Sequence, residues 1–141
     1  MLPYTLHHAA WAELEADARL VRTAVFIEEQ HIAAEDEWDD EDAKSLHFVI
    51  YDQNQAIATA RLMQNHHVGR VAVLQKARGS GVGQWLMREI IARARAEQRP
   101  YLKLSAQTHA IGFYENLGFK VEGESYLDCG IPHVDMQLLL T

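Results

Sequence analysis

The sequence predicts an α/β fold in which a mixed β-sheet carries helices on its faces. Of its 141 residues, 48% are hydrophobic and 23% are charged, which is typical of a folded globular protein rather than a disordered chain. Apolar residues alternate in some segments and recur at helical spacing in others. These segments follow one another in the order β-α-β-β-β-α-β-α-β-β. We expect one domain over residues 1–141, because the chain contains no repeat or linker.

The first half predicts a strand, a helix and a three-stranded meander. The helix is indicated by apolar residues, among them Leu14, Ala18 and Val21, that recur near helical spacing. Turn residues between two β-branched and aromatic runs indicate a hairpin. The predicted strands cover residues 4–8, 46–51, 56–63 and 68–74, and the helix covers residues 11–30.

The second half predicts two helices and three strands. Val82, Leu86 and Ile90 belong to a broad apolar stripe, so a helix begins near Gly81 and ends before Pro100. A shorter helix precedes Gly118, which occupies the position where a helix end favours a left-handed residue. We expect strands at residues 101–106, 119–122 and 133–140, and the shorter helix at residues 110–117.

The charge of the chain is concentrated in one segment. Thirteen basic and 20 acidic residues give a net charge of −7, and seven of the acids lie within residues 35–42. A net acidic chain argues against non-specific nucleic-acid binding, which requires neutralisation of phosphates. We interpret the acidic run as a solvated loop or short helix, with attraction of a cationic acceptor as the alternative.

The chemistry-bearing residues outside the glycine-rich segment predict neither disulfides nor metal. Cys129 is the single cysteine, which excludes an internal disulfide. Gly130 and Pro132 break the spacing between Cys129 and His133, so we expect a structural thiol there. The histidine pairs at 7–8 and 66–67 would point to opposite faces of a strand, which is poor geometry for a shared metal.

Location is predicted from what the sequence lacks. Residues 1–20 already carry acidic side chains and have no apolar leader segment. No apolar run approaches the length needed to cross a bilayer. We therefore expect a cytoplasmic protein with no membrane partner.

A glycine-rich segment, Arg78-Gly79-Ser80-Gly81-Val82-Gly83, lies between a predicted strand and a predicted helix. Its glycines permit positive φ, and the first N–H groups of the helix are free to bind phosphate oxygens beside Arg78. A tight strand-to-helix turn without a ligand is the alternative. Gly83 is followed by Gln84-Trp85, not Lys-Ser/Thr, which excludes a P-loop, and the spacing does not fit the dinucleotide fingerprint.

These residues resemble the acetyl-CoA signature of the GNAT superfamily of N-acetyltransferases, Arg/Gln-x-x-Gly-x-Gly/Ala after a Val-ended strand. Arg78, Gly81 and Gly83 match the signature, and Val71-Ala72-Val73 provides the strand. Downstream, residues 110–119 are similar to the family segment Ala-x-x-x-Tyr-x-x-x-Gly-Phe. The resemblance covers residues 46–140. The front of the chain is similar to the ElaA-like branch, through Arg22, Val25-Phe26, Glu29-Gln30, His47 and the segment 130–133.

The resemblance implies a GNAT-like, largely antiparallel sheet of six to seven strands with a splayed central pair. It also implies acetyl-CoA as co-substrate, with the pyrophosphate on the loop and the pantetheine arm along the strand that precedes it. One backbone N–H near Val73 would polarise the thioester carbonyl. The implied coenzyme-binding residues are Val71, Ala72, Val73, Arg78, Gly79, Ser80, Gly81, Val82, Gly83, Gln107 and Phe113.

The implied reaction is direct transfer of an acetyl group to a primary amine of a small molecule. Tyr114 would protonate the departing thiolate as general acid, unless it is only a core tyrosine. The proton acceptor stays open, because Leu102 occupies the position where some members carry a glutamate. Glu29 and His133 are the favoured acceptor-side residues, ahead of His47 and His109. A non-catalytic acyl-CoA sensor is the alternative function, and a homodimer stays open as the assembly.

Overall fold

The computed structural model describes residues 3–141, which form strands and helices in the predicted order. The strands are β1 (Tyr4–Ala10), β2 (Leu46–Asp52), β3 (Gln55–Leu62), β4 (Val68–Val73), β5 (Tyr101–Gln107), β6 (Lys120–Asp128) and β7 (Ile131–Leu139). The helices are α1 (Trp11–Arg22), a π-helix (Thr23–Glu29), α2 (Ala34–Glu37), α3 (Val82–Ala96) and α4 (Ile111–Glu115). The single-domain assignment stays a prediction, and Met1 and Leu2 lie outside the described residues.

The strands form two antiparallel sheets, ordered β1-β2-β3-β4 and β5-β7-β6. The predicted splayed pair is confirmed as β4 and β5. Just before β4 begins, His67 forms one parallel bridge with Lys103 of β5, where the Lys103 N–H donates to the His66 carbonyl at 3.0 Å. Beyond this bridge the two strands belong to separate sheets, so a wedge opens between them.

A β-bulge lies in β4 just after the bridge. Thr59 pairs with Ala72 but Arg61 pairs with Gly69, so β4 contains one more residue than β3 over this stretch. Arg70 sits in the bulge with a φ of 51°, a conformation that side chains other than glycine rarely adopt. Bulges bend a strand and recur beside functional sites. Here the bend falls where β4 parts from β5.

Helix α3 joins the two sheets through its apolar face. Leu86, Met87 and Ile90 are fully buried, in one cluster with residues of both sheets such as Phe48 and Met136. Burial of each such side chain contributes about 2 kcal/mol to folding. On the opposite face of the first sheet, α1 packs in a second cluster around Val49 and Ala72. The wedge is therefore held open by packing on both faces of β4.

The predicted helix over residues 11–30 divides in the structure. It continues as a π-helix from Thr23, and the Gln30 N–H bonds the Val25 carbonyl, five residues back, at 3.1 Å. Apolar spacing alone does not reveal this change, because Val25 and Phe26 stay buried. π-Helical turns occur often at functional sites. This one brings Glu29 and Gln30 to the edge of the wedge.

The prediction of a solvated acidic run is wrong for two of its members. Glu37 and Asp42 are only 2% and 3% exposed. Arg22 contacts both, at 2.8 Å and 2.7 Å, and Arg61 contacts Asp42 at 2.9 Å. The sequence contains no local sign of this network, because Arg22 lies on α1 and Arg61 on β3.

The last hairpin is longer than predicted. Strands were expected at residues 119–122 and 133–140, but β6 extends to Asp128 and β7 begins at Ile131. Cys129 and Gly130 form a two-residue turn in which both φ angles are positive, at 51° and 75°. Gly123 lies at a register shift within β6.

Candidate active site

A cleft of about 540 Å³ occupies the wedge between β4 and β5. This volume is typical of small-molecule sites. The π-helix forms part of one wall, and the turn between β6 and β7 forms part of another. Its lining includes eight of the predicted site residues: Glu29, Val71, Ala72, Val73, Arg78, Gln107, Tyr114 and His133. The sequence therefore predicted residues that the fold brings together from six separate segments.

The glycine-rich loop lies beside this cleft rather than in its walls, of which only Arg78 is a part. Gly79 and Gly81 have φ values of 78° and 87°, and an added Cβ would meet open space at either. Gly81 is the N-cap residue of α3 and provides no side-chain cap, so the first N–H groups of the helix lack side-chain partners. This arrangement suits the oxygens of a phosphate group.

Gly83 brings the loop, β4 and α4 into contact. A Cβ at this position would lie 3.4 Å from the Phe113 ring and 3.8 Å from the Val73 side chain. Val82 is 1% exposed, so its side chain belongs to the core and only its backbone is available to a ligand. Phe113 is therefore held beside the cleft by packing on Gly83.

Tyr114 reaches the cleft from a buried position on α4. Its ring packs edge-on against Phe113 and Phe119, at centroid distances of 5.0 Å and 5.9 Å. Burial raises the pKa of Tyr114 to about 12. The hydroxyl thus stays protonated near neutral pH, and Tyr114 is one of the residues that line the cleft.

Arg78 and Glu29 form an ion pair across the cleft mouth. Two guanidinium nitrogens of Arg78 donate to the two carboxylate oxygens of Glu29, at 2.7 Å and 2.8 Å. The Arg78 Nε donates to the Val73 carbonyl at 3.0 Å. The hydrogen bond from Arg78 lowers the pKa of Glu29, which makes this carboxylate a poor proton acceptor.

Gln107 is held by two neighbours at the end of β5. Its Nε2 donates to Oε1 of Gln30 at 2.9 Å, and His109 Nε2 donates to its Oε1 at 2.8 Å. Glu29 contacts Arg78, which follows β4, and the next residue, Gln30, contacts Gln107 of β5. The end of the π-helix therefore contacts both sides of the wedge. The ElaA-like resemblance included Gln30 but assigned it no role.

His133 has a defined tautomer. Its Nδ1 lies 2.7 Å from the Ile131 carbonyl, which can only accept, so Nδ1 carries a hydrogen and, in the neutral ring, Nε2 carries the lone pair. The ring stacks on Tyr126 at 6.2 Å, and the Tyr126 hydroxyl donates to Asp135 at 2.6 Å. His133 is therefore an oriented potential proton acceptor in the cleft wall.

Arg70 is a charged residue of the cleft lining that the sequence did not predict. Arg70 donates from Nη2 to the Glu37 carbonyl at 2.9 Å, and its Nε lies 3.2 Å from the Glu37 carboxylate. Asp36 and Asp128 line the same cleft. The sequence did not indicate Arg70 as a site residue, because its position in the cleft depends on the β-bulge in β4.

Two other candidates are placed away from acid–base chemistry. His47 is 1% exposed and does not line the cleft. Its Nε2 contacts the Asp42 carbonyl at 2.9 Å. Cys129 lines the cleft, but burial and the nearby Asp128 and Asp36 raise the pKa of its thiol. A protonated thiol is a weak nucleophile, which fits the predicted structural role.

Within residues 3–141 the chain contains no group of three or more His, Cys, Asp or Glu side chains placed to share a metal ion. None of the helices in that range is both long and apolar enough to span a membrane.

The fold, with its splayed sheet beside α3, superposes on a solved acyltransferase structure, which places the chain in the class of acyltransferases. The chain belongs to the GNAT acetyltransferase family, because the family model "Acetyltransferase (GNAT) domain" matches residues 14–140. Among its relatives, the N-acetyltransferase YjcF of Bacillus subtilis, described as uncharacterized, is 36% identical over 124 residues, covering 85% of this chain and 89% of YjcF.

Solved structures agree with this assignment. An acyl-CoA N-acyltransferase from Pseudomonas aeruginosa superposes with a TM-score of 0.85 at 30% identity, covering 96% of this chain and 99% of that one. Escherichia coli ElaA superposes with a TM-score of 0.87 at 27% identity, with the same two coverages. The predicted GNAT resemblance and its ElaA-like branch are thereby confirmed.

Proposed function

We propose that this protein transfers an acetyl group from acetyl-CoA to a primary amine of a small molecule. The observation that carries the proposal is the wedge between β4 and β5, with an uncapped α3 N-terminus beside it and Tyr114 among the residues that line it. We also propose the cytoplasm as its location.

The coenzyme fits the residues beside and within the wedge. The N–H groups of the loop and of the first turn of α3 would bind its diphosphate, together with Arg78. The backbone of residues 71–73 would hold the pantetheine arm, because the splay leaves the side of β4 that faces β5 without a neighbouring strand. A backbone N–H near Val73 would donate to the thioester oxygen, and such a donor contributes about 3 kcal/mol in comparable acyl transfers.

Two side chains would handle the protons. As the amine nitrogen bonds to the acetyl carbon, the carbon–sulfur bond breaks and Tyr114 donates its hydrogen to the leaving sulfur. His133 would accept the proton that the amine loses, through the free Nε2 that its bond to Ile131 leaves available. Glu29 is less suited to that step, since it is paired with Arg78.

The part of the cleft that Asp36 and Asp128 line, which we call the acceptor end, favours a cationic amine over an anionic substrate. Asp36 and Asp128 line the cleft, whereas the positive charges of Arg70 and Arg61 are balanced by Glu37, Asp39 and Asp42. Negative groups raise the local concentration of an ammonium ligand, and salt weakens the effect. The amine must then lose a proton before it attacks.

The test is the release of CoA thiol from acetyl-CoA with a panel of small primary amines, with products identified by mass. We expect turnover with at least one amine and an N-acetylated product. The Tyr114→Phe protein serves as the matched control for enzyme-dependent release. Coenzyme binding without turnover by any amine would contradict the proposal and favour an acyl-CoA sensor.

A further inference from the structure

We propose that Ser105 accepts a hydrogen bond from the amine nitrogen of the acceptor substrate, and that Tyr126 and Asp135 fix its hydroxyl for this role. The inference rests on the proposed function and names a residue by which the cleft would select an amine. Ser105 lines the cleft and lies on β5, which faces β4 across the wedge. Its hydrogen-bond partners fix the direction in which its hydroxyl donates, which an isolated serine leaves free.

The side chains of Ser105, Tyr126 and Asp135 form a hydrogen-bonded chain across the second sheet. Ser105 of β5 pairs with Asp135 of β7, and Tyr126 of β6 pairs with His133 of β7. Because β7 lies between β5 and β6, the Tyr126 side chain crosses β7 to reach its partners. Its hydroxyl donates to Asp135 Oδ1 at 2.6 Å and is also hydrogen-bonded to the Ser105 hydroxyl. The chain therefore links all three strands of this sheet.

The direction of this chain follows from the number of hydrogens. The Asp135 carboxylate can only accept, so Tyr126 uses its single hydroxyl hydrogen on Asp135. Burial and the bond to Asp135 raise the pKa of Tyr126, which keeps that hydrogen on the phenol near neutral pH. The Ser105 hydroxyl must therefore donate to the Tyr126 oxygen. What Ser105 presents to the cleft is a lone pair, which can only accept.

Ser105 lies beside groups that the proposed function assigns to the acceptor. His133 and Ser105 are diagonal neighbours on adjacent strands, with side chains about 7 Å apart, so one nitrogen between them can reach both. Asp128 of the acceptor end is two residues from Tyr126 on the same face of β6. An amine held between Ser105 and His133 therefore lies next to the acceptor end.

A lone pair at Ser105 distinguishes amines from hydroxyl substrates. A primary ammonium has three N–H groups, so it can transfer one proton to His133 and still donate another hydrogen to Ser105. A hydroxyl substrate has a single hydrogen, which it loses as its oxygen attacks. Its lone pairs would then face the lone pair of Ser105, and the hydrogen bond would be missing. The chain thus favours transfer to nitrogen over transfer to oxygen.

The first experiment compares Ser105→Ala with Ser125→Ala by steady-state kinetics. Ser125 is an exposed serine of β6 outside the cleft lining, so it controls for the loss of a hydroxyl and should behave as wild type. Ser105→Ala should raise the KM for the best amine of the panel about tenfold, as expected for a hydrogen bond from a charged donor. The KM for acetyl-CoA should stay unchanged. Ser105→Thr should restore most of the loss, because it keeps the hydroxyl.

The second experiment tests the direction of the chain. Tyr126→Phe keeps the ring that stacks on His133 but removes the oxygen to which Ser105 donates. The freed Ser105 hydroxyl can then donate into the cleft, so the ratio of kcat/KM for the amine to that for the alcohol of the same shape should fall about threefold or more. Adding Ser105→Ala to Tyr126→Phe should raise the amine KM less than Ser105→Ala does alone.

Three results would each overturn the inference and leave the proposed function intact. The first is an unchanged amine KM in Ser105→Ala, in a protein of unchanged Tm. The second is a rise in the KM for acetyl-CoA in place of the amine KM, which would assign Ser105 to the coenzyme. The third is strict additivity of the two substitutions, which would show that Tyr126 does not direct Ser105. If no amine is acetylated by the wild-type protein, the proposed function fails and the inference fails with it.

Discussion

Arg22 and Asp42 form a 2.7 Å ion pair in which both side chains are almost completely buried. Arg22 is on the last turn of α1, and Asp42 begins the short 3₁₀ turn before β2. The same carboxylate contacts Arg61 on β3. The acidic run thus ties the helix that leads into the π-helix to the sheet that forms the wedge.

Asp42→Asn should destabilise the protein by about 3 kcal/mol, because it removes the one buried carboxylate that Arg22 and Arg61 share and leaves each buried guanidinium with a single charged partner. The free energy of unfolding in urea measures the loss. Asp40→Asn is the matched control, since Asp40 belongs to the same run but is exposed, and we expect a change below about 0.5 kcal/mol. Equal stability of the two variants would contradict the structural role of Asp42.

Asp39 should contribute a component of stability that is lost in acid. Its hydrogen bond from Arg61 lowers the pKa of Asp39 from 3.8 to about 2. The contribution is therefore complete above the unfolded-state pKa and disappears as the pH falls through the folded-state value. The stability difference between wild type and Asp39→Asn should shrink between about pH 4 and pH 2. A constant difference over that interval would show that the carboxylate is not held by Arg61.

Gly81→Asp should weaken coenzyme binding strongly, and Gly81→Asn should weaken it less. Both substitutions place a side chain at a φ of 87°, a conformation that Asn and Asp adopt more readily than other residues. The two side chains have the same shape, so the difference between their dissociation constants isolates the charge placed against the diphosphate. Calorimetry with CoA provides the measurement. Equal affinities of Gly81→Asp and wild type would place the coenzyme elsewhere.

Tyr114→Phe should lower kcat about 100-fold and change the KM for acetyl-CoA little. The hydroxyl acts only when the thiolate departs, so its loss raises the barrier without weakening the ground-state complex. Tyr101→Phe, at a tyrosine of β5 outside the cleft lining, is the control for general effects of losing a phenol. Wild-type kcat in Tyr114→Phe, with chemistry rate-limiting, would mean that another group protonates the sulfur.

The sequence predicted the parts of the site that local pattern determines. The glycine loop follows a strand and begins a helix, and the apolar stripe of α3 dictates how that helix packs. The Arg78–Glu29 and Gln30–Gln107 contacts were not predictable, because they join residues 49 and 77 positions apart. The same holds for Arg22 with Glu37 and Asp42. Pairing between distant polar side chains depends on tertiary geometry, which short-range periodicity does not encode.

His133→Asn should lower kcat/KM for the amine about 100-fold near neutral pH. Asparagine keeps a polar group in the cleft wall but has no basic nitrogen, so an amine that arrives as an ammonium ion loses its proton acceptor. A structural role for His133 predicts a different result, because loss of packing would depress activity equally at every pH.

The pH profile therefore distinguishes the two roles of His133. As the pH approaches the pKa of the free amine, an increasing fraction of the substrate is already neutral and needs no protein base. The deficit of His133→Asn relative to wild type should then decrease steadily, and added imidazole should restore part of the activity at neutral pH. His31→Asn, at an exposed histidine outside the cleft lining, provides the control and should follow the wild-type profile. A deficit that stays constant across the profile would leave His133 as a packing residue and require another acceptor for the proton of the amine.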